Sequence, residues 1–338
     1  MATQLLTTSG GLSGQYQKYF DKRLLTAVLQ KLVMAQFPQV KALPPGMGAL
    51  TVRFTRPMAP DRTTVSALTE GTPLASDSDY SLSFVDATCT QVGQKTTISD
   101  ILGETNLFDT LENVSTWMGQ NAALYYDFAI TSEFIAGINA SNKQYAGGAA
   151  DWATLAALST SDGKLQIVDI LKAFTRLTAA RAPKASANAH TPKGVVGGTD
   201  YVAVVAPQPG FDIRQDTLFK EAGVRGNNDG LFNGEFGSWY GFKLVEATNP
   251  WREATGGAEG TYSASGGIYA TICTGSEAVG MVNLASQNIT RPKLIVCGKP
   301  DKTDQLDQFT SVGWKSFFKV KTLKDDWSVI IRSLTTYA

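Results

Sequence analysis

The sequence holds one histidine, three cysteines and no continuous apolar run of membrane-spanning length. Only 18% of its 338 residues are charged, against about 25% in typical soluble domains. Each shortage excludes something. His190 lies in the loop-like stretch KASANAHTPKG, so a Ser-His-Asp triad or a histidine metal site would have to be built around that one residue. No CxxC, HExxH, HxH or GxSxG pattern accompanies it. His190 reads as a loop residue, and a hydrolase has no support. Cys89, Cys273 and Cys297 sit in strand-like contexts (DATCTQV, YATICTG, LIVCG). An odd number in such settings points to buried free thiols in a reducing compartment rather than a disulfide framework.

No segment approaches 18 apolar residues, so no membrane span is expected. The opening MATQLLTTSGGLSGQYQKYF lacks the basic start and apolar core of a secretory signal. The expectation is a soluble protein made in a cytoplasm. Lys plus Arg and Asp plus Glu both number 30, which removes any bulk electrostatic reason to bind nucleic acid or an anionic membrane. The glycine clusters GGLSG, GVVGG and ASGG complete neither GxxxxGK[ST] nor GxGxxG. NNDGLFNGE, residues 227–235, lacks the first-position Asp and twelfth-position Glu of a calcium loop and reads as a turn. Neither cofactor nor metal is expected.

What remains is pattern. A chain of this length exceeds the usual single core and implies two or three lobes, and its charge-poor surface suits burial against other subunits. Residues 1–15 offer little to bury and read as a mobile arm. In YFDKRLLTAVLQKLVMAQFPQV, Leu24, Leu25, Val28, Leu32 and Phe37 approach helical spacing, ended by Pro38. Through Lys41 this arm carries five basic residues against Asp21 alone, whereas residues 42–160 hold five basic and twelve acidic ones. An arm of one subunit lying on that region of another is electrostatically reasonable.

Residues 43–100 alternate in short runs (Leu50, Val52, Phe54; Leu82, Phe84) and predict two strands enclosing a polar tip. An isolated hairpin is barely stable and needs a neighbour. After a turn at Gly103, Leu107, Leu111, Val114, Met118, Tyr125, Phe128, Ile135 and Ile138 predict a helix about 45 Å long, with Asn106 or Asp109 to cap it. Ile167, Leu171, Phe174 and Leu177 predict a second amphipathic helix. A buried-type strand from Tyr201, a helix-like FDIRQDTLFKEAG, a loop NNDGLFNGEFGSWYG and a strand FKLVEATN complete an α/β lobe. Within it, REATGGAEGTYSASGG, residues 252–267, reads as a flexible excursion. No internal repeat of fixed period is present.

In VGWKSFFKVKTLKDDWSVIIRSL, Val312, Trp314, Ser316, Phe318 and Val320 share one strand face, with Lys315, Lys319 and Lys321 on the other. Trp327, Val329 and Ile331 share a face after the turn at LKDD. This segregation favours a core hairpin over a platform for single-stranded nucleic acid. The lysines are left toward solvent, a neighbouring subunit or nucleic acid.

The order of certain blocks then resembles a known family: YFDKRLL with LVMAQF, LTEGTP, QVGQKTTISDIL, QYAGG, IVDILKAFTRLTAARAPK, LFNGEFG with GFKLVEATN, and DQLDQFTSVGWKSFFKVKTLKDDW. Collinear over residues 16–332, they resemble the major capsid proteins of tailed bacteriophages, in particular the coliphage N-four capsid family with the Hong Kong 97 capsid fold. Ile167 departs from that pattern, where family members tend to carry a helix-capping threonine. The Asn188–Gly198 loop and residues 252–267 match no family block.

The resemblance implies an α+β fold with an N-terminal arm (1–45), an E-loop hairpin (46–98), a peripheral domain with a long spine helix (99–164), an axial α/β domain (165–292) and a C-terminal hairpin completing the peripheral domain (293–338). It implies hexamers and pentamers forming an icosahedral head around double-stranded DNA, portal, scaffold or decoration proteins as further partners, and no enzyme activity. Near-zero net charge suits a container that does not grip DNA through many phosphate contacts. The E-loop is expected over a neighbouring subunit, where Arg53, Arg56 and Arg62 meet Glu104, Asp109, Glu112 or Glu133. An encapsulin-type compartment, of the same fold but enclosing enzymes, is the first alternative, and a hydrolase of unknown type dependent on His190 ranks below it.

Overall fold

The computed structural model describes residues 33–44, 50–58, 65, 68, 70–71, 80–105, 110–184, 200–218, 235–239, 241–284, 293–297 and 308–337. In chain order these form β1 (Gln39–Leu43), β2 (Thr51–Pro57), β3 (Leu82–Thr88), β4 (Thr90–Ser99), α1 (Asp100–Thr105), α2 (Thr110–Gly137), β5 (Lys143–Tyr145), α3 (Trp152–Ala157) and α4 (Ile167–Ala179). There follow β6 (Tyr201–Val205), α5 (Pro207–Gln215), β7 (Glu235–Trp239), β8 (Phe242–Glu246), β9 (Arg252–Glu253), β10 (Ile268–Thr274), β11 (Val279–Leu284), β12 (Lys293–Cys297), β13 (Phe309–Thr322) and β14 (Ser328–Ser333). The arm helix expected before residue 33, its Pro-terminated end apart, and His190 lie outside the described residues. So do residues 227–234 of the calcium-loop candidate and the caps at Asn106 and Asp109.

Three sheets organise the chain. One has the order β1-β11-β13-β12, with β4 also on β13; a second runs β5-β14-β10-β6-β8-β7, with β9 on β10; β2 and β3 form a separate two-stranded hairpin. The 28-residue α2 is about 42 Å long and packs on β13. Its Met118, Ala122, Tyr126, Ile130 and Phe134 are buried, four residues apart and so on one helical face. From β13 come Val312, Trp314, Phe318 and Val320. The alternation expected along this strand holds: 312, 314, 316, 318 and 320 are all buried. Tyr126 meets Trp314 at 5.5 Å and Phe318 at 5.1 Å edge-on, and its hydroxyl donates to Ser316 Oγ at 2.7 Å. That bond explains a serine in an otherwise apolar row, since a buried hydroxyl needs a partner.

The two C-terminal strands do not pair as a hairpin. β13 belongs to the first sheet and β14 lies between β5 and β10 in the second, joined by the short Leu323–Trp327 crossover. β14 is buried on both faces: Val329 and Ile331 pack on the α4 side with Leu177 and Leu244, and Ile330 on the other with Ile135 and Trp251. A period-two reading finds one apolar face, whereas a central strand covered on both sides is apolar throughout.

Other expectations shift as well. Gly103 sits inside α1 rather than at a turn. α5 (Pro207–Gln215) begins four residues before the expected Phe211, because proline is well placed in a helix's first turn; after Asp216 the chain is helical again at Thr217 and Leu218, and 219–223 lie outside the described residues. Residues 235–239 of the expected loop are strand β7. α4 has no side-chain cap at Gln166; its first amide, on Ile167, donates instead to Asp216 Oδ2 at 3.2 Å. The missing threonine is thus replaced from 49 residues away.

The segment 252–267 is not a loose excursion. β9 pairs with β10, and Glu253 accepts from Arg332 Nε (3.0 Å), Arg332 Nη2 (3.2 Å) and Trp251 Nε1 (3.0 Å). Arg332 and Glu253 side chains are each only 1% exposed. Glu259 stands 2.8 Å from Arg332 Nη1 and 3.1 Å from Lys143 Nζ as ion pairs, and accepts from the Tyr145 hydroxyl at 3.1 Å. Glycine-rich composition hid this, because the two glutamates that fix the segment look like surface charges in the sequence.

Cys89 and Cys273 are free and buried, as expected. The chain enters the core at Val33 and Met34, whose amides donate to Asp127 on α2 at 3.3 and 3.2 Å. Burial pushes the Asp127 carboxyl up to about 7, against the pull of those two amides. A carboxyl raised in the folded state stabilises fully below its unfolded value near 4 and loses that contribution as pH rises towards 7. Wild-type protein should therefore lose more stability between pH 5 and pH 8 than Asp127→Asn, measured as urea midpoints. Parallel pH profiles would refute this assignment.

Candidate functional site

The β2-β3 hairpin lies outside both larger sheets. Thr51 faces Thr88 and Pro57 faces Leu82 in an antiparallel register. Alternation gives it two unlike faces. Inward, Phe54 and Ala87 are buried with Leu43, Cys89 and Val282. Outward, Leu82 and Phe84 stand 48% and 58% exposed, and Val65 and Leu68 beyond the strands about 80%.

Its arginines are held within the chain. Arg53 makes a two-pronged pair with Asp86 directly opposite, Nε to Oδ1 at 2.7 Å and Nη2 to Oδ2 at 2.8 Å, and lies 4.5 Å over the Phe84 ring. These bonds raise the Arg53 guanidinium and hold the Asp86 carboxyl below its ordinary value. Lys41 lies 4.5 Å over Phe54 and donates to the Arg53 carbonyl at 3.1 Å. Arg56 points to the body: its guanidinium is 3.9 Å over the Trp327 ring, donates to the Glu277 carbonyl at 3.0 Å and is 3.6 Å from that carboxylate. Burial lowers the Arg56 guanidinium, with Glu277 opposing.

A cavity of about 760 Å³ opens beside this contact, lined by Arg56, Trp327, Arg181 and Glu277 among others. Among the described residues, Arg181 (φ 51°) and Glu277 (φ 61°) are the two non-glycine residues with left-handed backbone. Arg181 occupies the position after α4 where glycine usually closes a helix, with Arg181 N to Thr178 O and Ala182 N to Leu177 O both at 3.0 Å. Non-glycine residues in this region cost on the order of 1 kcal/mol and gather at functional sites. Here both bring opposite charges to one cavity under the hairpin.

Of the sequence-predicted acidic partners, Glu133 accepts from the Thr322 amide at 3.1 Å and is 3.5 Å from Lys321 Nζ. This gives one of the C-terminal lysines a partner in its own chain. Glu112 is half-buried in the first turn of α2. Arg62, Asp109 and the Glu104 side chain lie outside the described residues. The structure thus brings Arg53 to Asp86 and Arg56 to Glu277 and Trp327, none of which sequence reasoning selected. Asp86 was accessible in principle, since pairing 51–57 against 82–88 puts it opposite Arg53, but the register depends on a turn that the sequence does not specify. Among the described residues no group of three His, Cys, Asp or Glu side chains is placed to hold a metal ion, and no helix is long and apolar enough to cross a membrane.

No protein-family model matches the chain, and no curated protein matches it. Solved structures do. The capsid of Ralstonia phage GP4 aligns with TM-score 0.62 at 15% identity, over 90% of this chain and 92% of that one. The cyanophage Pam1 capsid aligns with TM-score 0.62 at 13% identity, over 89% of each chain. The holo-SrpI encapsulin complex from Synechococcus elongatus PCC 7942 aligns with TM-score 0.54 at 10% identity, over 90% and 88%. Likeness of this extent at such low identity is a likeness of architecture: the chain has the α+β fold of phage capsid subunits, the Hong Kong 97 type.

Proposed function

We propose that the chain is a major capsid protein whose copies assemble as hexamers and pentamers into an icosahedral head enclosing phage double-stranded DNA. The observation that carries this reading is the β2-β3 hairpin: two strands outside both main sheets, with Leu82 and Phe84 exposed beside the Arg53–Asp86 pair on its outer face. A two-stranded ribbon is marginal in water alone, and a second copy would cover it. On this reading the hairpin is the E-loop (46–98), α2 is the spine of a peripheral domain (99–164 with 293–338), residues 165–292 form the axial domain and 1–45 the arm, with two exchanges across those bounds: β11 pairs with β13 in the first sheet and β14 with β10 in the second. The role is structural rather than catalytic, in the virion and assembled in the host cytoplasm. Portal, scaffold or decoration proteins are its further partners.

Electron microscopy of the purified protein tests it directly: closed shells with six-fold and five-fold capsomers are expected. A chain that stays monomeric at all concentrations and ionic strengths would overturn the reading. The likeness to an encapsulin complex favours a second reading, a compartment shell around cargo protein. Particle contents separate the two, since purified particles hold DNA in one case and protein in the other.

A further inference from the structure

The cavity beneath the hairpin has the make-up of a ligand site. Its volume of about 760 Å³ falls in the range of pockets that enclose small molecules. Phe54 and Val85 of the hairpin and Leu323 and Trp327 of the body give it apolar walls, so the cavity is shared between the two. Charge in it is unequal: Lys41, Arg56, Arg181 and Lys324 line it against Glu277 and Asp326. Arg56 stands 3.6 Å from the Glu277 carboxylate and Lys324 3.0 Å from that of Asp326, which occupies both acids. Lys41 and Arg181 are left over. The Lys41 ammonium meets the Phe54 ring and the Arg53 carbonyl, and among the described residues neither Lys41 nor Arg181 has a carboxylate partner.

Two uncompensated cations beside apolar walls select the chemistry of the occupant. An uncharged apolar molecule would displace water from both cations and give them nothing in return, while strengthening their repulsion in a drier interior. A small hydrated ion would leave the apolar walls uncovered. A ligand with an apolar body and a doubly charged head satisfies both, as in an aryl or alkyl phosphate. Arg181 suits that head, because the guanidinium fork meets phosphate oxygens two at a time. It also stands with left-handed backbone, φ 51°, at the position where glycine would end α4 with less strain, so the helix end does not account for an arginine. We propose that this cavity binds an amphipathic anion of the phosphate monoester class, which ties the hairpin to the body because the walls come from both.

Calorimetric titration of 1-naphthyl phosphate into dilute, unassembled full-length protein tests this, at pH 8, where a phosphate monoester carries close to two charges. Saturable binding of one molecule per chain is expected, with 1-naphthol and inorganic phosphate each at least tenfold weaker. Arg181→Gly should keep the fold, since glycine is favoured at that backbone position, and bind at least tenfold more weakly. If circular dichroism shows it unfolded, Lys41→Gln serves instead. Hydrogen exchange at the Phe54, Thr55 and Arg56 amides should slow when the ligand is bound. No saturable binding, binding unaffected by the cavity variant, or unchanged hairpin exchange would each overturn the proposal. Inorganic phosphate or 1-naphthol binding as tightly as the ester would also overturn it, the former showing an adventitious ion only. The measurement needs no shell, so a failure of assembly leaves its outcome separate.

Discussion

Arg332→Ala is expected to destabilise the protein by about 3–5 kcal/mol, because it strands a buried carboxylate with no cation beside it. Arg332 sits on β14, the strand between β5 and β10, and Glu253 opposite is as buried as the arginine itself. Removing the guanidinium leaves Glu253 with one donor, Trp251 Nε1, and withdraws one of two cations from Glu259. A loss of this size is a large share of the 5–15 kcal/mol by which domains are ordinarily stable. Urea unfolding followed by far-ultraviolet circular dichroism gives the midpoint. The double variant Arg332→Met, Glu253→Gln should recover more than half of the loss, since the orphaned charge costs more than the missing pair. A single-variant midpoint equal to wild type would show that the network contributes nothing to stability.

The second large effect concerns assembly. Arg53→Glu with Arg56→Glu should abolish closed shells in electron micrographs while leaving a folded chain. Glu at 53 would face Asp86 across the hairpin, and Glu at 56 would face Glu277 at the cavity, so two attractive contacts become repulsive. The cores built on α2 and α4 do not include β2 or β3, which is why the body should survive. Adding Asp86→Arg restores the cross-strand pair with its sign reversed. Recovery of shells in that triple variant would locate the effect in the hairpin's own order. Persistent failure would point to contacts with another subunit's acidic groups, among which Glu112 and Glu133 are candidates. Normal shells from the double variant would end the assignment of the hairpin to assembly.

Legibility in the sequence followed the strength of periodicity. β13 was readable because one face packs on α2 and the other is polar, so alternate burial left alternate chemistry. β14, covered on both sides, carries no such contrast, and its separation from β13 into another sheet leaves no local trace. α2 was recognisable as a helix, yet its facing was not: Tyr125 and Phe128 read as core, whereas the buried row runs through Ala122, Tyr126 and Ile130. With only Glu112, Asp127 and Glu133 charged in 28 residues, the pattern has little polarity to orient it. The hairpin was visible from its short alternating runs. The partners of Arg53 and Arg56 were not, because they depend on a register and on a turn near Glu277 more than 200 residues away.

The union of β4 with β13 also has a mechanical side. β4 continues directly from the hairpin through Cys89, and ten consecutive pairs, from Thr90 with Phe318 to Ser99 with Phe309, bind it to β13. A pull on the hairpin along β4 loads that ladder lengthwise, so its hydrogen bonds, which lie across the strands, resist in parallel instead of opening one after another. The hairpin is thus fastened like a lap joint, hard to draw out along its length.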